Sequence, residues 1–305
     1  MTRSGVGPHR GALLGLFTPW LYAIASKIRQ VSLQEMTYDA GVMAAGVIDS
    51  GKLFKPPAIC INFDTTLWAE AVGCVVNRDS DQPIVEPGGS ADPNPDTIRE
   101  SKLIVALLEV IGRVKGTMVN SQIVCAIPGP ATLANHLDIP SPVTKSDQFI
   151  IGELITEYVN ILCSNNVENI LILERPNRND EDLSQWIEGN HYARIVKLAE
   201  HYTVETTLLC PGASMNELQV KAFDGFTYVA GNPVGTMSAP FENAAKAISV
   251  CNFGTGKVTI PEGVEKLARG SYLLTTEWDL DPSCDFKDIQ SDIAVVSEFL
   301  EEANG

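Results

Sequence analysis

The stretch Ile59 to Gly73, ICINFDTTLWAEAVG, decides the fold. It continues an apolar run, Ala58 to Phe63, interrupted by Asn62 alone. It then reaches Asp64, after which Leu67, Trp68, Ala71 and Val72 recur at helical spacing. A buried strand that ends on a carboxylate and turns into a helix is the repeating unit of an α/β fold. In a parallel α/β barrel the rim at the strand ends is where chemistry happens. Asp64 is therefore the first candidate functional residue. The plainer reading is that it caps the helix, because Asp is a favoured N-cap residue.

The same alternation extends outward in both directions. Further strands are predicted in the run Gly11 to Ser26 and at Ile123–Ile127, Asn169–Leu173, Thr203–Leu209, Phe226–Ala230, Ser249–Phe253 and Ser271–Thr275. Helices are predicted at Ser32–Ser50, Pro95–Val114, Thr132–Leu137, Asp147–Cys163, Asp180–Glu200, Met215–Phe223, Phe241–Ala247, Pro261–Ala268 and Lys287–Glu302. In the first of these, Leu33, Met36, Ala40, Met43, Ala44 and Val47 share one face, and Gly51 is the stop signal. Val75-Val76 and Pro83-Ile84-Val85 read as a short hairpin. The polar loop Glu86–Asp96 is long enough to serve as a lid. Eight strands alternating with helices predict a single-domain parallel (β/α)8 TIM barrel over residues 11–305, with residues 1–10 as a mobile tail.

The chain carries 22 Lys and Arg against 38 Asp and Glu, a net charge of −16. That balance argues against nucleic acid and anionic membranes as partners, since both need basic surfaces. It favours a small-molecule substrate. Seven cysteines, an odd number with no C-x-x-C, fit reduced thiols and a cytoplasmic protein rather than a disulfide framework. Arg3 and Arg10 before the uncharged run Gly11–Ser26 have the look of a signal peptide. Pro19 and Trp20 inside the run oppose that, and the run is too short to span a membrane. It is read as the first barrel strand.

The residues just past the strand ends are Tyr22, Asp64, Pro128 to Thr132, Glu174 with Arg175, Cys210, Asn232, Asn252, and Glu277 with Asp279. Several carboxylates around one cavity push their pKa values apart, which suits acid–base work. Taken singly, each is as readily a helix cap or one half of a surface ion pair.

Four motifs in order resemble the uroporphyrinogen decarboxylase superfamily. They are Thr18-Pro19-Trp20-Leu21, the Ile59–Gly73 stretch, Gly129-Pro130-Ala131-Thr132-Leu133, and Asp281-Pro282 before the last helix. The resemblance implies a decarboxylating lyase without an organic cofactor, with Asp64 in the catalytic role and His136 in place of the family's tyrosine. Tyr22 is taken as a third catalytic residue. The expected substrate-binding set is Trp20, Lys27, Pro130, Thr132, Glu174, Arg175, Asn232, Glu277 and Trp278. Two arginines of the family pattern are replaced by Ala23 and Lys27. Lys lacks the bidentate fork that grips a carboxylate. The expected ligand is therefore a small aromatic or pyrrole-like acid with one or two carboxylates, not uroporphyrinogen itself.

The superfamily's other branch contains zinc-dependent methyl and alkyl transferases that act on a thiol or a corrinoid partner. Cys210 stands where that branch has its first zinc cysteine, with Leu208 at the histidine position and Trp278 at the second cysteine. Glu277, Asp279 or Cys284 are the substitute ligands to consider. No cofactor is the main expectation, and zinc on Cys210 with Glu277 is the alternative. A barrel that binds a ligand or partner without turnover is a further alternative. A homodimer is the expected assembly.

Overall fold

The computed structural model describes residues 17–79, 83–88, 93–175, 181–210, 221–230, 245–264, 272–276 and 278–302. In chain order the elements begin β1 (Phe17–Thr18), α1 (Tyr22–Arg29), α2 (Leu33–Tyr38), α3 (Ala40–Phe54), β2 (Ala58–Asn62) and α4 (Thr66–Ala71). They continue with β3 (Val76–Asn77), β4 (Ile84–Val85), α5 (Pro95–Ile98), α6 (Lys102–Thr117), β5 (Gln122–Pro128), α7 (Pro130–His136) and α8 (Lys145–Ser164). The remainder are β6 (Asn169–Leu173), α9 (Glu181–Glu188), α10 (His191–His201), β7 (Glu205–Leu209), β8 (Tyr228–Ala230), β9 (Ala245–Val250), β10 (Tyr272–Thr276) and α11 (Phe286–Glu302).

Eight strands form one sheet in the order β1-β10-β9-β8-β7-β6-β5-β2, and every pairing in it is parallel. The order follows the chain around a nearly closed ring, the (β/α)8 barrel that the sequence predicts. Strands β2, β6 and β7 are buried at all five positions. Burial along the whole strand, rather than at alternate residues, is what a parallel sheet lined inside and covered by helices outside requires. The hairpin β3–β4 pairs antiparallel, Val76 opposite Val85, as expected.

Local chemistry explains where the elements start and stop. Asp39 accepts hydrogen bonds from the Gly41 and Val42 N–H groups and so begins α3. The single helix expected over 32–50 is split there into α2 and α3. Asn190, with φ 58°, breaks the helix expected over 180–200 into α9 and α10. Thr203, also at positive φ, delays β7 to Glu205. Among the described residues the first strand is Phe17–Thr18, and the chain turns into α1 at Tyr22. Strand β9 begins at Ala245, inside the segment expected to be helical. Pairing on both sides, to β8 and to β10, overrides the helix preference of Ala245-Lys246-Ala247. The expected tail 1–10, most of the helix at 215–223 and half of that at 261–268 lie outside the described residues.

Trp68 of the opening stretch is wholly buried and anchors the core. Its Nε1–H donates to the Ala126 carbonyl at 2.8 Å, and its ring lies 4.6 Å from that of Tyr158. On the far side of the barrel, buried Asp292 of α11 accepts from the N–H groups of Gly254, Thr255, Gly256 and Val258, tying the last helix to the loop after β9. All seven cysteines are free thiols, five of them buried. No described helix is long and apolar enough to cross a membrane.

Candidate active site

Asp64 follows β2 at the C-terminal rim and lines an open cavity of about 1040 Å³. Phe63, Thr65, Thr132, His136, Arg175 and Trp278 are among the other walls, with Pro83, Ile84 and Val85 of the hairpin as one side. The hairpin thus forms one wall, and the loop expected as a lid lies partly outside the described residues. A smaller chamber of about 340 Å³ adjoins it and shares Phe63, Asp64, Pro83 and Trp278. Tyr22, Leu33, Thr37 and Asp279 complete its lining.

The carboxylate of Asp64 is fully engaged. Oδ1 accepts from the Thr66 N–H at 2.8 Å and from the Thr66 hydroxyl at 2.6 Å, and so steadies the first turn of α4. Oδ2 pairs with the Arg78 guanidinium, whose side chain is 1% exposed. Arg78 also reaches Glu70 at 2.7 Å, and Glu70 in turn accepts from the Tyr38 hydroxyl at 2.5 Å. The sequence reading placed no cation beside Asp64. No local signal marks Arg78, which stands 14 residues along in a polar loop after β3.

His136, at the end of α7, lies across the cavity with Nε2 3.1 Å from the Thr65 hydroxyl. Burial holds its pKa down to about 4, against an upward pull from Asp64. It is therefore neutral at pH 7. Tyr22 is 2% exposed at the start of α1. Burial first, and then the Asp64 charge, push its phenol up.

Four of the expected substrate-binding residues, Glu174, Trp20, Lys27 and Pro130, are held in the scaffold. Glu174 is wholly buried. Its carboxylate accepts from the N–H groups of Ala131 (3.1 Å) and Thr132 (2.9 Å), the Thr132 hydroxyl (2.7 Å) and the Tyr192 hydroxyl (2.5 Å). It thus caps α7 from the neighbouring strand, and burial raises its pKa. A Cβ on Gly129 would sit 2.6 Å from Glu174 Cγ and closer still to its carboxyl group. That contact is the physical reason for the glycine in the Gly129-Pro130 turn. Trp20 is 0% exposed, with its backbone tied to Thr276 and Leu280, and lines neither cavity. Lys27 turns away to the carbonyls of Ser283 and Cys284 and over the Phe286 ring. Pro130 is the buried first residue of α7. Asn232 and Glu277 lie outside the described residues.

Asp279, expected only as a rim carboxylate, holds the start of α1. Its two oxygens accept from the N–H groups of Tyr22 (2.7 Å) and Ala23 (2.8 Å). Burial raises its pKa to about 7, and these bonds pull against that. Trp278 packs edge-on against Phe63 at 4.8 Å. The Arg175 guanidinium lies over the Trp278 ring, 3.8 Å from its centre. Thr132 spends its hydroxyl on Glu174 and on the Arg175 N–H, 2.8 Å away.

The donors for zinc do not come together among the described residues. Cys210 is 1% exposed at the end of β7, near Tyr192, and lines neither cavity. Asp279 is spent on α1, and Cys284 packs against Gly254. No described group of three His, Cys, Asp or Glu side chains can hold a metal. A zinc site needs at least three protein ligands in a fixed geometry.

No protein-family model matches the sequence, and no curated protein does so either. Solved structures that share its architecture include the following two. One is a methyltransferase from Methanosarcina mazei, with a TM-score of 0.70 and 17% identity, covering 93% of this chain and 92% of that one. The other is a B12-independent methionine synthase from Shewanella sp. W3-18-1 in complex with selenomethionine, with a TM-score of 0.54 and 13% identity, covering 95% of this chain and 100% of that one. The chain shares the barrel of these two proteins almost end to end, the fold that its resemblance to the uroporphyrinogen decarboxylase superfamily implies.

Proposed function

We propose that the chain is an enzyme that transfers a methyl or alkyl group between small molecules in the cavity bounded by Asp64, His136, Arg175 and Trp278. The likeness over nearly the whole chain to a methyltransferase carries this reading. It displaces decarboxylation as the first choice. The Arg78 ion pair offsets the Asp64 charge that a decarboxylase of this kind would direct at a developing cation. The positions of the missing family arginines, Ala23 and Lys27, offer no substitute grip, since Ala23 is buried and Lys27 points elsewhere.

In group transfer the acceptor's heteroatom forms a bond to the migrating carbon as the carbon's bond to the donor breaks. The leaving group keeps the electron pair, and the acceptor sheds a proton. His136, on the cavity wall with Nε2 3.1 Å from the Thr65 hydroxyl, is the side chain placed to take that proton. No step is routed through zinc, because the described donors do not assemble a site for it.

Decarboxylation stays as the second reading because Asp64 and Arg175 line one cavity. The test is a panel of thiols and methyl donors assayed by mass spectrometry for the methylated product, run beside release of CO2 from aromatic acids. His136→Gln should lower methyl transfer at least ~10²-fold with the fold intact. Release of CO2 without any transfer would overturn the first reading in favour of the second.

A further inference from the structure

The described carboxylates of this site each have a partner in the scaffold. Asp64 is neutralised by Arg78, Glu174 is enclosed by the start of α7 and Tyr192, and Asp279 is held by the start of α1. Arg175 differs from all of them. It is exposed at the cavity wall and makes no ion pair with a described residue. Its guanidinium rests on the face of Trp278. Stacking uses the flat face of the guanidinium and leaves its in-plane N–H donors free, in the fork that fits a carboxylate. Trp278 also fixes that plane, so less side-chain freedom is lost when an anion binds.

We infer that Arg175, braced on Trp278, is the anion-binding subsite of this cavity and selects a substrate carrying a single carboxylate beside a flat apolar body. The inference rests on the cavity being the substrate site. The apolar body would lie against Phe63 and Trp278, whose edge-to-face packing makes part of the apolar wall. A single charge is favoured because the chain carries −16 overall and one exposed guanidinium offers one bidentate seat.

The probes are benzoate, its neutral isostere benzamide, and a tetracarboxylated porphyrin, titrated against the full chain by calorimetry and tryptophan fluorescence. Benzoate should bind at least ~10-fold more tightly than benzamide, as one charge-assisted bidentate pair allows. Arg175→Gln should reduce benzoate to the benzamide level while leaving the melting temperature unchanged, since Arg175 is exposed. Arg175→Lys should recover only part of the preference. Equal binding of benzoate and benzamide to the wild type would overturn the inference, as would an unchanged preference in Arg175→Gln or tighter binding of the tetracarboxylate. These readouts need no turnover. A benzoate preference lost in Arg175→Gln, together with a failed methyl-transfer assay, would sink the proposed reaction and leave the subsite standing. The reverse pattern would do the opposite.

Discussion

Gly129→Ala is the sharpest test of how the rim is built. Gly129 has φ −72° and ψ 169°, a conformation open to any residue. On backbone grounds alone alanine there would stabilise the fold by ~0.4–1 kcal/mol, by narrowing the unfolded ensemble. The space around it reverses that sign. The new methyl group would lie 2.6 Å from Glu174 Cγ and closer to its carboxyl carbon, so Glu174 or the Gly-Pro turn must move. Overpacking of this kind costs ~1–3 kcal/mol. Displacing Glu174 also forfeits four accepted hydrogen bonds, each worth ~1.5–3 kcal/mol to a charged acceptor and not additive. The cheaper escape sets the outcome, and we expect a net loss of ~3–5 kcal/mol. For 305 residues this lowers the melting temperature by on the order of 5–8 °C. The assay is urea denaturation of wild type, Gly129→Ala, Glu174→Ala and the double variant. With the Glu174 side chain gone, Gly129→Ala should cost less than ~1 kcal/mol, a coupling of ~2 kcal/mol or more. Additive losses, or a single Gly129→Ala variant within ~0.5 kcal/mol of wild type, would refute the account of this turn.

Arg78→Met should destabilise by ~3–5 kcal/mol in urea, because it strands Asp64 and Glu70 without their shared cation; a loss under ~1 kcal/mol would show that the two carboxylates need no partner. Asp292→Ala should cost ~2–4 kcal/mol and raise amide exchange selectively at residues 254–258, whose four N–H groups lose their acceptor; unchanged exchange there would deny the latch. Stability should also vary with pH through two groups of opposite sign. His136 titrates near 4 when folded against an ordinary 6.5, so the unfolded chain binds more protons between those values, and the His136 contribution is lost as pH falls from about 6.5 to 4. Asp279 titrates near 7 against an ordinary 3.8, so the folded chain holds the extra proton, and its contribution is lost as pH rises from about 3.8 to 7. His136→Gln should flatten the first limb and Asp279→Asn the second, read from urea midpoints across pH; profiles that keep both limbs would discard these assignments.

The fold was legible because its strands are short apolar runs closed by polar residues. Asn169–Leu173 coincides in full with β6 for that reason. The errors fell where a distant partner decides. Ala245–Ala247 prefers helix locally and becomes strand between β8 and β10. Phe17–Arg29 carries no alternation to separate strand from helix, and α1 starts where Asp279 arrives from the other end of the chain to cap it. A cap from more than 250 positions away leaves no trace in a sequence window.

The site was legible in outline only, and the reason is electrostatic. A carboxylate at a strand end can be read from sequence, but its partner cannot. Counting Asp64, Glu174, Glu277 and Asp279 as free rim charges makes the cavity look strongly acidic, whereas the fold gives the three described ones, Asp64, Glu174 and Asp279, separate occupations. Asp64 found Arg78 on a loop with no periodicity, Glu174 found the start of α7, and Asp279 found the start of α1. Each occupation also positions a wall of the cavity: the first turn of α4, the helix that carries His136, and the helix that carries Tyr22. These three carboxylates thus shape the site. Neutral His136 and the Arg175 guanidinium are left to act on a bound molecule, which is how an acidic chain can hold an anionic substrate.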